Sequence, residues 1–341
     1  MARREIAEPL PLGKGGGAGL TARLPRRHSA GSVPARGAIE ARRAAVDILR
    51  TPDERFAGLP GFEFAPHYLD DLPGFAGLRM HYLDEGPAGA AETFLCLHGQ
   101  PTWSYLYRRM IPIFAAAGAR VVAPDMFGFG RSDKPADDGA YTYHFHRDSL
   151  MRFIERLDLR NVTLVCQDWG GLYGLTIVPD MAERFSRLIV MNTTIPVGES
   201  PGPGFDAWKA FNRSQPDLAI GRMIGRGTPH LTPAEIAAYD APYPDARYKG
   251  GVRRFPELVP VSPEMDGVAE GLRAREFWSN TWQGQSFMAV GMADPVLGPP
   301  AMTFLRGLIR HCPAPLEIAG GGHFVQEWGE EIAIRALESF A

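Results

Sequence analysis

Short apolar runs alternate with amphipathic stretches along most of this 341-residue chain, and that alternation predicts its elements. Leu78-Arg79-Met80-His81-Tyr82-Leu83-Asp84 alternates apolar with polar positions, the period of a half-buried strand. Thr93-Phe94-Leu95-Cys96-Leu97, Arg120-Val121-Val122-Ala123 and Asn161-Val162-Thr163-Leu164-Val165-Cys166 are short and apolar, as strands buried on both faces are. Tyr105 to Ala117 and Tyr143 to Leu157 read as helices, and Gln285 to Gly291 and Leu316 to Ala319 as two further strands. The sum is an α/β chain, a mostly parallel central sheet flanked by helices. Residues 196–275 interrupt it with prolines and helical pieces such as Pro233 to Tyr239. That insertion is expected to be a helical cap over the strand ends, where such sheets bind ligands. The core then comprises residues 48–195 and 276–341.

The first fifty residues differ from the rest: they carry a net charge of +6 and the remainder −9, with a glycine-rich run at Gly13 to Gly19. Residues 1–47 are therefore expected to be a disordered extension. The run is no phosphate loop, since no strand precedes it and the Walker spacing is missing. Arg3-Arg4 lacks the apolar stretch of an export signal. No apolar run approaches the roughly 18 residues of a membrane span. Three cysteines without metal spacing suit a reducing cytoplasm. His144 and His146 have no third ligand at a metal-binding spacing, so no metal is expected.

Candidate chemistry centres on Val165-Cys166-Gln167-Asp168-Trp169-Gly170. A strand leads into Asp168 and a glycine-rich helix start follows, with small residues two before and two after, the steric requirement of a nucleophile elbow. A serine there needs a base before it attacks, whereas a carboxylate is already ionised at neutral pH. Asp168 can displace a leaving group from saturated carbon unaided, and the resulting ester then needs a base for its hydrolysis. Alone, the residue is equally compatible with a helix cap. Two later strand ends decide otherwise. In the chain order nucleophile, acid, histidine, Asp294 follows the strand ending at Gly291, and His323 follows Gly320-Gly321-Gly322.

With these residues in place the chain resembles the haloalkane dehalogenases of the α/β-hydrolase superfamily, in the branch whose triad acid follows the seventh strand. The matching motifs are Leu97 to Trp103, Ala123 to Asp133, Gln167 to Gly171, Gly291 to Asp294 and Gly322 to Phe324. The sister branch carries its acid after the sixth strand, where this chain has Asn192, an amide that cannot serve. The resemblance implies hydrolytic cleavage of a carbon–halogen bond to a primary alcohol and halide, through an alkyl ester on Asp168. His323, oriented by Asp294, would activate the water. Backbone N–H groups of Gln100 and Trp169 would hold the oxyanion, and the indoles of Trp169 and Trp208 the halide, since indole nitrogen only donates. Trp278 and Trp282, near the end of the cap, are read as packing residues. Gln100 departs from the acidic residue or asparagine common at its position. The implied pocket walls are Leu172, Phe205, Phe255, Pro256, Val259, Val296 and Leu297. No cofactor is implied, and the expected partners are a small halogenated substrate, water and halide, with no nucleic acid or membrane. A cytoplasmic monomer is expected.

Two other readings compete. An epoxide hydrolase uses the same triad but needs cap tyrosines to protonate the opening oxygen, and Tyr239, Tyr243 and Tyr248 are available. A non-catalytic binding module on this fold is the other, although it has no need of all three triad residues.

Overall fold

In the computed structural model, which describes residues 47–341, the apolar runs form one eight-stranded sheet. Its strands are β1 (His67–Leu69), β2 (Met80–Glu85), β3 (Thr93–Leu97), β4 (Arg120–Pro124), β5 (Val162–Gln167), β6 (Phe185–Met191), β7 (Gln285–Gly291) and β8 (Leu316–Ile318). Their spatial order is β1-β2-β4-β3-β5-β6-β7-β8. The β1–β2 and β2–β4 pairs are antiparallel and every other pair is parallel. All residues of β3 and β5 are buried, which is why they read as unbroken apolar runs. The expected disordered extension lies, but for Asp47, outside the described residues. Among those residues no helix is long and apolar enough to cross a membrane.

The helices are α1 (Ile111–Ala116), α2 (Tyr143–Arg156), α3 (Trp169–Ile177), α4 (Pro203–Ser214), α5 (Ile220–Gly227), α6 (Pro233–Ala238), α7 (Gly250–Leu258), α8 (Val268–Asn280), α9 (Pro299–Leu308) and α10 (Gly329–Phe340). The expected helix from Tyr105 to Ala117 is instead a 3-10 turn, Ser104–Tyr107, followed by α1. Pro112 explains the break: without an N–H it fits the first turn of a helix and cannot continue one. Helices α4 to α7 fall within the insertion read as a cap, residues 196–275. Its expected end at residue 275 falls inside α8, which packs on the core, with the Trp278 indole donating to the Leu175 carbonyl of α3 at 2.8 Å.

Polar ties between insertion and core fix the cap over the strand ends. Arg253 of α7 forms a two-point pair with Asp138, both contacts at 2.7 Å, and the Gln100 side-chain amide donates to Val252 O at 2.9 Å. Helix α6 begins with a reciprocal capping box between Thr232 and Glu235. The same Glu235 accepts from Arg108 at 3.0 Å and from Arg109 at 2.6 Å, and both arginines also pair with the buried Glu327. Tyr239 donates to Glu327 as well. This network joins α6 to the turn just after His323.

Candidate active site

Four parallel strands deliver the candidate groups to one place. Asp168 follows β5, Gln100 follows β3, Asp294 follows β7 and His323 follows β8. Asp168 has φ +50° and ψ −124°, a strained backbone for an L residue, on the bend between β5 and α3. Room for so sharp a bend exists only because position 170 is glycine, where a Cβ would lie 1.9 Å from Leu97 O. The helix-cap alternative fails, because the Asp168 side chain makes no capping hydrogen bond. Instead its Oδ1 accepts from the backbone N–H of Gln100 at 2.7 Å, and Thr193 Oγ1 donates to its carbonyl at 2.7 Å. Trp169 opens α3, so its N–H has no partner within the helix.

The structure brings Asp168, Asp294 and His323 together. His323 Nδ1 donates to Asp294 Oδ2 at 2.8 Å, and His323 Nε2 lies 3.5 Å from Asp168 Oδ2. Asp294 is held from two further sides, by Asn192 Nδ2 at 2.8 Å and by the Val296 N–H at 2.8 Å. Asn192 therefore supports the acid from the strand end where a sister family places its own. Asp294 is buried, yet His323, Asn192 and the Val296 N–H together hold its carboxyl below the usual carboxylate range. Burial lowers the proton affinity of His323, but Asp294 and Asp168 outweigh it and push the imidazole up to about 10. The glycine run before His323 needs no left-handed backbone. None of Gly320, Gly321 and Gly322 has a positive φ. What the loop needs is closeness: Ala293 N donates to Gly321 O at 2.8 Å, and a Cβ on Gly291 would meet Gly322 O at 2.2 Å.

Above these groups lies a cavity of about 300 Å³. Leu172, Phe205, Pro256, Val259, Val296 and Leu297 line it, as do Trp169 and Trp208. Phe255 does not: it is fully buried behind Trp169, its ring 4.7 Å from the indole and 4.5 Å from the His146 ring. On α7 its neighbour Pro256 takes the cavity-facing position, the roughly 100° turn between adjacent helical residues accounting for the difference. Walls that the sequence reading missed include Pro201, Phe211 and Met223. The four contending indoles separate by hydrogen bonding. Trp278 donates to Leu175 O and Trp282 to Ser286 Oγ at 3.0 Å, whereas among the described residues neither Trp169 nor Trp208 has a protein acceptor for its N–H. Among the described residues no tyrosine lines the cavity; Tyr239 donates to Glu327, and Tyr243 is buried elsewhere in the cap. His146 is buried against Tyr141 and Tyr173 while His144 is half-exposed near Asp266, so the two do not act as a pair.

Comparison with known proteins agrees with this geometry. A model of the alpha/beta hydrolase fold matches residues 92–330. A haloalkane dehalogenase of Psychrobacter cryohalolentis is 46% identical over 295 residues, covering 84% of this chain and 96% of the relative. One of Mycobacterium marinum is 43% identical over 305 residues, covering 86% and 99%. The solved structure of a tetrameric haloalkane dehalogenase from Paraglaciecola agarilytica is similar with a TM-score of 0.85 at 54% identity, covering 87% of this chain and 99% of that one.

Proposed function

This chain belongs to the haloalkane dehalogenases of the α/β-hydrolase fold, enzymes that hydrolyse carbon–halide bonds, and from that premise we propose how its residues carry out the reaction. Asp168 Oδ1 is engaged by the Gln100 N–H, which leaves Oδ2 as the attacking atom. Oδ2 forms a bond to the halogen-bearing carbon as the carbon–halogen bond breaks, in line and from the opposite side. The halide departs between the indole N–H groups of Trp169 and Trp208, two donors that the protein leaves unused in an apolar cavity.

Esterification removes the negative charge of Asp168, and with it one of the two carboxylates that keep His323 protonated. The imidazole then becomes a competent base. It takes a proton from water through Nε2 while the water oxygen attacks Cγ of Asp168. The oxyanion develops on Oδ1, already in contact with the Gln100 N–H, with the Trp169 N–H as second donor. Collapse breaks the Cγ–Oδ2 bond, and His323 returns its proton to the departing primary alcohol. One oxygen from water stays on Asp168. The net change is haloalkane plus water to alcohol, halide and a proton.

The observation that carries this reading is the 3.5 Å separation of Asp168 Oδ2 from His323 Nε2, beneath a cavity whose polar groups are few. An epoxide hydrolase would need tyrosine hydroxyls over Asp168, and among the described residues no tyrosine is part of the lining. All these groups come from one chain, so we take the monomer as the catalytic unit. Light scattering distinguishes it from a tetramer like that of one relative. To test the mechanism, His323→Phe is mixed with a bromoalkane. About one bromide per enzyme should be released, and mass spectrometry should find the alkyl group on the Asp168 peptide. Sustained turnover by this variant would refute the assigned base.

A further inference from the structure

Gln167, the residue immediately before the nucleophile, is buried at the end of β5, and its side chain reaches the base rather than the sheet. Its amide nitrogen donates to the backbone carbonyl of His323 at 3.0 Å and lies 3.1 Å from His323 Nε2. A carbonyl only accepts, so the group facing His323 is the NH2 end of the amide. The other end agrees, because Gln167 Oε1 accepts from Gln326 Nε2 at 3.3 Å. An N–H aimed at Nε2 needs a lone pair there. The carboxylate of Asp294 on the other side of the ring needs a proton on Nδ1. Asp294 thus fixes the proton on Nδ1 and Gln167 selects the lone pair on Nε2, and the two together fit the neutral imidazole, which is the form that can accept a proton from water.

Resting on the mechanism above, we propose that Gln167 is a positioning residue for ester hydrolysis: its amide, anchored by Gln326, holds the His323 ring in place and favours the neutral tautomer with Nε2 free to act as base. The bond to the His323 carbonyl persists while water replaces the amide at Nε2, so the ring stays aligned during the exchange. The amide also counterbalances the carboxylates. The charged groups facing the imidazole are Asp294 at Nδ1 and Asp168 at Nε2; farther along the same loop, Glu327 is committed to Arg108 and Arg109. From the cap, no charged side chain lines the cavity. Asp168 and Asp294 favour the imidazolium, and Gln167 is the neutral group that disfavours it. After alkylation only Asp294 still opposes it.

Rapid-quench kinetics of a bromoalkane, followed from pH 6 to 10, test this with Gln167→Glu and Gln167→Met. Glutamate keeps the shape but turns the donor into an acceptor. It should leave the bromide burst near one per enzyme while slowing ester hydrolysis at pH 7 about tenfold or more, with recovery at high pH because the apparent pKa of that step rises by about one unit or more. Since only the second step slows, kcat and KM should fall together while kcat/KM stays within about twofold. Methionine removes the donor without adding charge, so its shift should have the same sign and be smaller. That variant decides the matter if the glutamate form does not fold. An unchanged pH profile of ester hydrolysis in a folded variant overturns the proposal, and so does a loss of burst and kcat/KM together, which marks a merely structural role. Trapping the ester in His323→Phe, run alongside, tests the underlying mechanism separately: failure there removes the mechanism itself, whereas success with an unshifted Gln167 profile removes only the role of Gln167.

Discussion

Glu327→Gln probes the network that joins the cap to the loop carrying His323. Glu327 is fully buried and accepts from Arg108 at 2.7 and 2.8 Å, from Arg109 at 3.2 Å and from Tyr239. Arg108 is itself only 3% exposed, and the surrounding acceptors hold its guanidinium firmly in the charged form. Replacing the carboxylate by an amide leaves that cation with Glu235 as its remaining carboxylate, at 3.0 Å, and presents an NH2 group to donors. Breaking one side of a buried pair costs about 3–5 kcal/mol. For a body of roughly 300 residues the unfolding entropy is about 0.6 kcal/mol/K, so the melting temperature should drop by about 5–8 °C.

Arg109 is 26% exposed, and Arg109→Met should lower the melting temperature by only about 1–2 °C, because a screened pair contributes about 1 kcal/mol or less. Replacing both members of the buried pair, as in Arg108→Met with Glu327→Leu, should be less damaging than Glu327→Gln alone, since no unpaired charge is then buried. Thermal unfolding followed by circular dichroism reads all three variants. A Glu327→Gln enzyme that melts within about 1 °C of wild type would show that the buried contacts do not carry the coupling assigned to them.

Trp208→Phe should weaken halide quenching of tryptophan fluorescence and slow bromide release about tenfold or more, as expected when a donor to developing charge is lost. Trp278→Phe should leave both unchanged, because its N–H serves Leu175 O. Equal effects of the two substitutions would dismiss Trp208 as a halide ligand. Asn192→Asp places a second carboxylate where the amide now donates to Asp294 at 2.8 Å. Two such groups resist joint ionisation, so the variant should take up a proton near neutral pH and orient His323 poorly, slowing ester hydrolysis at pH 7 more than the bromide burst. Acid unfolding has its own marker in Glu235: although burial opposes it, the Thr232 N–H and Arg108 hold this carboxyl down at about 2, against an ordinary 4.5. A folded value below the unfolded one contributes stability that is complete above about 4.5 and lost as pH falls toward 2. Glu235→Gln should therefore flatten the melting curve against pH across that window, and an unaltered slope would count against the ion network.

The residues that the sequence made legible are those fixed by backbone pattern. The buried run ending at Cys166, the bend at Asp168 and the two later strand ends bring Asp168, Asp294 and His323 to one place by chain order alone, because parallel strands end on one side of the sheet. Side chains whose role depends on what lies opposite them were not legible. Phe255 and Pro256 are adjacent and both apolar, and only the rotation of α7 sends one behind Trp169 and the other into the cavity. Asn192 reads as a missing acid and turns out to be a donor to the real one. Gln167 falls within the motif around the nucleophile but is invisible as a partner of His323, 156 positions away in the chain. The end of the insertion is hard to read from sequence for a related reason. An amphipathic helix reads alike whether it packs on a cap or a core, and the indole of Trp278 is what ties α8 to α3.

The halide donors show what kind of information the fold adds. Trp208, Trp278 and Trp282 all lie in or near the insertion, and as residue types they are interchangeable candidates. Although that of Trp103, packed away from the cavity, has none among the described residues, a buried indole N–H is usually given a protein acceptor. Trp278 and Trp282 are satisfied in this way, by a carbonyl and a hydroxyl. Trp169 and Trp208 border the cavity with no protein acceptor among the described residues, which leaves both N–H groups open to substrate or solvent. An apolar chamber lined by two tryptophans without a protein acceptor, with a carboxylate in its wall, suits a ligand that carries no hydrogen-bonding group of its own and acquires negative charge only as it leaves. A neutral haloalkane meets that condition, because its halogen gains the charge at the moment the carboxylate loses its own.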